Sequence, residues 1–139
     1  MTIQFVTDIE PRGKQRARQV IQGGYVHSYT PRETVVFERE IGKACMIACR
    51  GVQMPENAPL RMDATFFMPI PKSTPKRLRE RMATEQVYHT KKPDASNILK
   101  SVEDAIIGIA YKDDAQIACE YVRKVYSERP RVEVKISTI

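Results

Sequence analysis

The chain has 139 residues, a length suited to one domain with one core. It carries 23 Lys and Arg against 17 Asp and Glu, a net charge of +6, which favours a polyanionic partner. No apolar run approaches the roughly 18 residues of a membrane span, and the start, Met-Thr-Ile-Gln-Phe-Val, lacks the basic-then-apolar order of a signal peptide, so the expected location is cytoplasmic.

In chain order, residues 3–8 alternate as a first strand. Pro11 to Arg18 follows, with Arg12, Lys14, Arg16 and Arg18 on a glycine-containing loop, where alternate side chains point the same way and can meet phosphates. Gly23-Gly24 makes a turn, and residues 19–29 read as a hairpin ending in Tyr25-Val-His-Ser-Tyr29. Thr30-Pro31-Arg32-Glu33 predicts a helix start, with Thr30 as N-cap, Pro31 at N1 and Glu33 closing a capping box. That helix, about 31–50, would bury Phe37, Ile41, Ala44, Cys45 and Ala48. Cys45 and Cys49 lie four apart with no accompanying CxxC or HxxxH, so they read as small buried residues in a reducing compartment.

Residues 61–68 alternate as a strand with Met62, Ala64, Phe66 and Met68 on one side. Pro75 to Ala83 predicts a short basic helix carrying Lys76, Arg77, Arg79 and Arg81 as a candidate DNA contact. Residues 87–90 add a short extended segment. After residue 115, a long strand over 116–126 and an alternating strand over 131–137 close the chain. Together these elements predict a single α+β domain over residues 1–139. It has a mixed sheet of five or six strands, two longer helices and one short basic helix.

The stretch from Lys91 to Ile117, KKPDASNILKSVEDAIIGIAYKDDAQI, organises the rest. A helix over Asn97–Ile107 puts Ile98, Leu99, Val102, Ala105 and Ile106 in one apolar stripe. Asn97, Lys100 and Asp104 fall within about 60° of each other on another face. Pro93 sets the entry, Asp94 or Ser96 can cap the N-terminus, and Gly108 suits a left-handed C′ position. The helix is about 15 Å long, and the segment from Gly108 to Asp114 spans up to about 20 Å. The second acidic pair, Asp113 and Asp114, can therefore fold back toward Asp94. Carboxylates beside a lysine suit Mg²⁺, which takes oxygen ligands, keeps several waters and is completed by substrate phosphate. Basic residues gather in 12–18 and 72–81 around this acidic centre, and Lys91 and Lys92 directly precede Asp94.

HTKKPDASNILKSVEDAI and GIAYKDDAQI resemble the core of the RusA family of Holliday-junction endonucleases, common in phages and prophages. The family pattern is KPDxDN, a Lys three residues after the Asn, then DDxQ. Pro11-Arg-Gly-Lys14-Gln-Arg16-Ala-Arg18 resembles its basic N-terminal segment, and Tyr29-Thr-Pro31 and Phe67-Met-Pro-Ile-Pro71 also fit. The resemblance implies a homodimeric, Mg²⁺-dependent endodeoxyribonuclease, with Mn²⁺ able to substitute, that nicks four-way DNA junctions without a nucleotide cofactor. Asp94 and Asp114 would bind metal with Asp113 beside them, and Lys100 would be the functional lysine. Asn97 and Asp104 would support the site, while Lys14, Arg16, Arg18, Lys91, Lys92, Lys76 and Arg77 would hold DNA. One position departs from the pattern: Ser96 stands where the family has an Asp. The site loses a formal charge there unless Asp113, Asp104 or a water replaces the contact, and a junction-binding module with weak or no cleavage is the alternative. A second nuclease grammar, Pro93-Asp94 with Glu133-Val-Lys135, is also present.

Overall fold

The computed structural model describes residues 1–139. Six strands and three α-helices follow in the order β1 (Thr2–Thr7), β2 (Arg18–Gln22), β3 (Tyr25–Tyr29), α1 (Arg32–Cys49), β4 (Leu60–Pro69), α2 (Lys76–Met82), α3 (Ala95–Ile106), β5 (Ile117–Ser127) and β6 (Arg131–Thr138). The α+β class is as expected. The strands, however, divide into a four-stranded mixed sheet, β1-β6-β4-β5, and a separate hairpin of β2 and β3. Only the β4–β5 pair is parallel. The crossover between these two strands contains α2 and α3, which is how a parallel pair must be connected.

The sheet buries one face. Ile3 and Phe5 of β1, Val132, Val134 and Ile136 of β6, and Leu60, Met62, Ala64, Phe66 and Met68 of β4 form the core with Phe37, Ile41, Cys45 and Cys49 of α1 and Ile98, Leu99, Val102 and Ile106 of α3. Each fully buried aliphatic side chain contributes roughly 1.5–3 kcal/mol relative to exposure, so this layer of helices on sheet holds the fold. The opposite face carries Arg61, Asp63 and Thr65 of β4 beside Glu133 and Lys135 of β6.

The start of α1 differs from the sequence reading. Helix α1 begins one residue later than expected: Pro31 occupies the N-cap, and its carbonyl accepts the amides of Thr34 and Val35. Pro31 is itself extended at ψ 141°, so Thr30 lies one residue outside the cap, no capping box forms, and Glu33 pairs instead with Arg12 at 3.5 Å. The cysteine pair is buried as expected, with sulfurs 3.8 Å apart, whereas Cys119 is exposed on the edge strand β5. Burial pushes the Cys45 thiol up, so it stays protonated.

Beyond β5, residues 87–89 add the short extended segment expected there. Tyr88 bridges Val125, the Tyr126 amide bonds the Val87 carbonyl, and the His89 amide bonds the Lys124 carbonyl. This strap carries the chain into the loop before α3, and so to the site.

Candidate metal centre and nucleic-acid face

Helix α3 lies over β5 on the covered side of the sheet and presents its polar edge outward. It starts at Ala95 with Asp94 as N-cap residue, and Gly108 at φ 81° turns the chain after it as expected. Asp94 does not use its side chain as a cap. Its carboxylate forms no ion pair and no hydrogen bond within the chain. The carboxylate is exposed and its oxygens are unspent, so it is available as an oxygen ligand to a hard cation.

The loop presenting Asp94 is held from two directions. From β5, the Lys124 ammonium donates to the carbonyls of Lys91 and Pro93, both at 2.7 Å. Burial lowers the Lys124 pKa, and the Asp94 charge nearby works against that shift. From the N-terminal loop, the Lys14 amide donates to the Asn97 carbonyl at 3.1 Å. Gly13 sits so close that a Cβ there would be 3.0 Å from Pro93 Cβ, hence the glycine in an otherwise basic loop.

Lys14 itself turns inward. Its ammonium binds Glu38 of α1 and lies 3.1 Å from Asp104, which also holds Lys100 at 3.2 Å. Burial works to lower the Lys14 pKa, but the hydrogen bonds to Glu38 and Asp104 outweigh it and hold the group above its ordinary value. Lys14 is therefore spent on carboxylates rather than presented to phosphate. The Asp104 hydrogen bond likewise raises Lys100, which stays cationic and exposed. Arg16, Arg18, Lys76, Arg77, Lys91 and Lys92 are exposed and enter no ion pair.

At the other acidic position, Tyr111 is fully buried and its hydroxyl donates to Asp114 Oδ1 at 2.8 Å. Burial and then the Asp114 charge raise the Tyr111 pKa, so it remains a donor. The bond fixes one Asp114 oxygen and leaves the other free. Asp113 serves the turn: Oδ1 accepts the Ala115 amide at 2.9 Å while Gln116 caps back onto the Asp113 amide. Ser96 is exposed in the first turn of α3, where its neutral hydroxyl replaces no charge. Asp114 acts on both Glu103 and Lys100 of α3, and Asp94 acts on Lys124. No three carboxylate, imidazole or thiol groups are gathered around one point as a ready-made cluster. A cation held by few carboxylates would be completed by waters and phosphate.

The sequence reading missed Glu103, Glu120, Lys124 and Tyr111. Glu120, Val122 and Lys124 share one side of β5, paired with Met62, Ala64 and Phe66 on the buried side of β4. Two charges facing that side were the available signal. Burial, followed by the Glu120 carboxylate beside it and Asp114 near it, pushes Glu103 up to about 8. The Glu133 grammar fails on geometry. Glu133 pairs with Thr65 on the open face and bonds Arg131, whereas Asp94 lies by Lys124 on the covered face.

The family model described as Endodeoxyribonuclease RusA matches residues 8–137. A protein of Bacillus subtilis strain 168, the uncharacterized protein YqaN, is 34% identical over 142 residues, covering 99% of this chain and 96% of that relative. The crossover junction endodeoxyribonuclease rusA of Lactococcus phage r1t is 31% identical over 85 residues, 60% of this chain and 58% of that relative. No helix is long and apolar enough to cross a membrane.

The raised Glu103 has a consequence for stability. Its folded value, about 8, lies above the ordinary 4.5, so between those values the folded chain binds more protons than the unfolded one. The contribution is complete below about pH 4.5 and is lost as pH rises through about 8. Thermal melts without divalent cations should show the wild type losing a few degrees relative to Glu103→Gln between pH 5 and pH 9. Parallel curves for the two proteins would refute the assignment. By the match over nearly its whole length, and with the acidic, lysine-bearing helix in place, this chain belongs to the RusA endodeoxyribonuclease family.

Proposed function

We propose that the protein is a divalent-metal-dependent endonuclease that nicks four-way DNA junctions, acting as a homodimer. The observation that carries this reading is the uncommitted Asp94 carboxylate at the start of α3, on a helix that also bears Lys100, with Asp114 oriented by Tyr111. Asp94 and Asp114 would hold Mg²⁺, or Mn²⁺ in its place. When bound, the ion polarises the phosphoryl oxygen and lowers the pKa of a coordinated water.

The chain's own groups do the rest. Lys100, kept cationic by Asp104, offsets charge accumulating on the scissile phosphate. Asp104 is itself anchored by Lys14, so these two position Lys100. Lys124 fixes the Asp94 loop. Lys91, Lys92, Arg16 and Arg18 hold flanking phosphates, and Lys76 and Arg77 extend the contact, giving affinity that falls steeply with salt. Asp113 supports the turn carrying Asp114. A four-way junction has two-fold symmetry, and a dimer with one site per subunit matches it. The junction binder without turnover is the second reading, and Ser96 is its motive: one carboxylate fewer weakens the hold on the ion.

The deciding experiment is cleavage of a synthetic four-way junction beside a linear duplex, with Mg²⁺ and with chelator. Asp94→Asn and Asp114→Asn should each abolish cutting while junction binding in chelator survives. Junction binding by the wild type with no cutting in Mg²⁺ or Mn²⁺ would select the binding module.

Lys124→Met keeps the aliphatic stem and removes both carbonyl contacts. It should raise the half-saturating Mg²⁺ concentration and reduce cleavage roughly 10–100-fold, as loss of outer-shell support does. Junction affinity in chelator should hold. An unchanged metal dependence would show that Lys124 does not position Asp94.

A further inference from the structure

The β2–β3 hairpin is exposed at all ten strand positions and lies outside the sheet and core. It nevertheless displays large apolar groups: Ile21 is 78% exposed, Tyr25 74%, Val26 64% and Tyr29 45%. A two-stranded hairpin without packing is marginally stable in water, and such a surface marks an interaction site.

Three observations say what the partner is. First, no Asp or Glu occurs between Glu10 and Glu33, and of the cations in that stretch Arg16, Arg18 and Arg32 are exposed and enter no ion pair. A surface that avoids carboxylates over such a length is complementary to a polyanion. Second, the register pairs Arg18 with Tyr29, Val20 with His27 and Gln22 with Tyr25. Directly paired residues share a face, so Tyr25, His27 and Tyr29 line one face in a row beside Arg18. Rings two residues apart on a strand repeat every ~7 Å, about twice the 3.4 Å separation of stacked bases. Third, the hairpin is rooted at the candidate catalytic corner. Lys14 is bonded to Asn97 of α3, and Arg18 begins the hairpin at most about 14 Å of chain further on. Nucleic acid held beside Asp94 lies within its reach.

We infer that the Tyr25–His27–Tyr29 face of the hairpin is a base-stacking arm that grips DNA where strands separate at a branch point. Aromatic platforms next to cations bind unstacked bases of any sequence, and a branch interrupts the continuous stack of base pairs, offering base faces that an intact duplex buries. The inference deepens the proposed function and rests on it for the choice of branched DNA. A second copy of this chain, paired through the opposite face of Ile21 and Val26, is the competing occupant.

The test uses the full chain with Tyr25→Ala and Tyr29→Ala combined, and Ile21→Ser as the opposite-face control. Anisotropy in chelator measures affinity for a fluorescent four-way junction and for a linear duplex, and sedimentation velocity gives the oligomeric state. The double variant should bind the junction at least about tenfold more weakly, with duplex affinity, melting temperature and sedimentation unchanged, and Ile21→Ser should behave as wild type. Unchanged junction affinity overturns the inference, as does an equal loss on duplex. A loss accompanied by a sedimentation change in either variant also overturns it and assigns the hairpin to contact between copies. If the wild type binds junctions and the double variant does not, yet neither cuts, the arm stands and the nuclease reading falls. If the wild type cuts junctions and the double variant binds them equally well, the arm alone falls. A wild type that binds no DNA sinks both.

Discussion

The Lys124 ammonium is the contact on which the candidate site depends. It comes from the covered side of an edge strand, is partly withdrawn from water, and spends its donors on the carbonyls of Lys91 and Pro93. Hydrogen bonds to charged groups are worth roughly 1.5–3 kcal/mol each, and here they fix the backbone on both sides of Lys92. That fixes where α3 starts and hence where Asp94 points. Because β5 pairs in parallel with β4, Lys124 is tied in turn to the middle of the sheet. The placement of Asp94 is thus a property of the core rather than of a free loop.

A second set of charges settles Lys100. Glu38 from α1, Lys14 from the N-terminal loop, and Asp104 and Lys100 from α3 form a chain of alternating sign. Three separate segments converge in it, and only Lys100, at its end, is left largely open to solvent. An exposed pair such as Lys100–Asp104 contributes little to stability by itself. Held by Lys14 at the inner end, Asp104 directs Lys100 more than it stabilises the fold. A cation that the sequence assigned to phosphate turns out to serve another cation.

Much of this was legible in the sequence, for physical reasons. The α3 stripe, the alternation of β4 and β6, the glycine after α3 and the acidic turn beyond it are local patterns, and local patterns survive folding. What escaped depends on pairing across distance. Strand parity alone does not show that β5 is an edge whose Glu120 and Lys124 face α3, because that follows from its parallel pairing with β4. Lys14 looked like its neighbours Arg16 and Arg18 until α1 brought Glu38 against it. Tyr111 looked like a core aromatic, and it is one, with its single polar atom aimed at Asp114. The capping box at Thr30 failed locally, because Pro31 stays extended and takes the N-cap position itself.

The molecule separates two tasks by rigidity. Carboxylates proposed to hold the ion sit on or beside α3 and are braced from the core side, by buried Tyr111 for Asp114 and half-buried Lys124 for the Asp94 loop. Most cations proposed to hold DNA lie on the N-terminal loop, the hairpin and α2, with few contacts to the core; Lys91 and Lys92, whose side chains are exposed, are the two on the braced loop. Chemistry requires positions fixed to a fraction of an ångström, whereas phosphate attraction is long-ranged and tolerant of side-chain motion. Changes in the braced set should therefore act on turnover and changes in the unbraced set on affinity. On that separation, Ser96 in place of a carboxylate should subtract from the first set and leave the second intact.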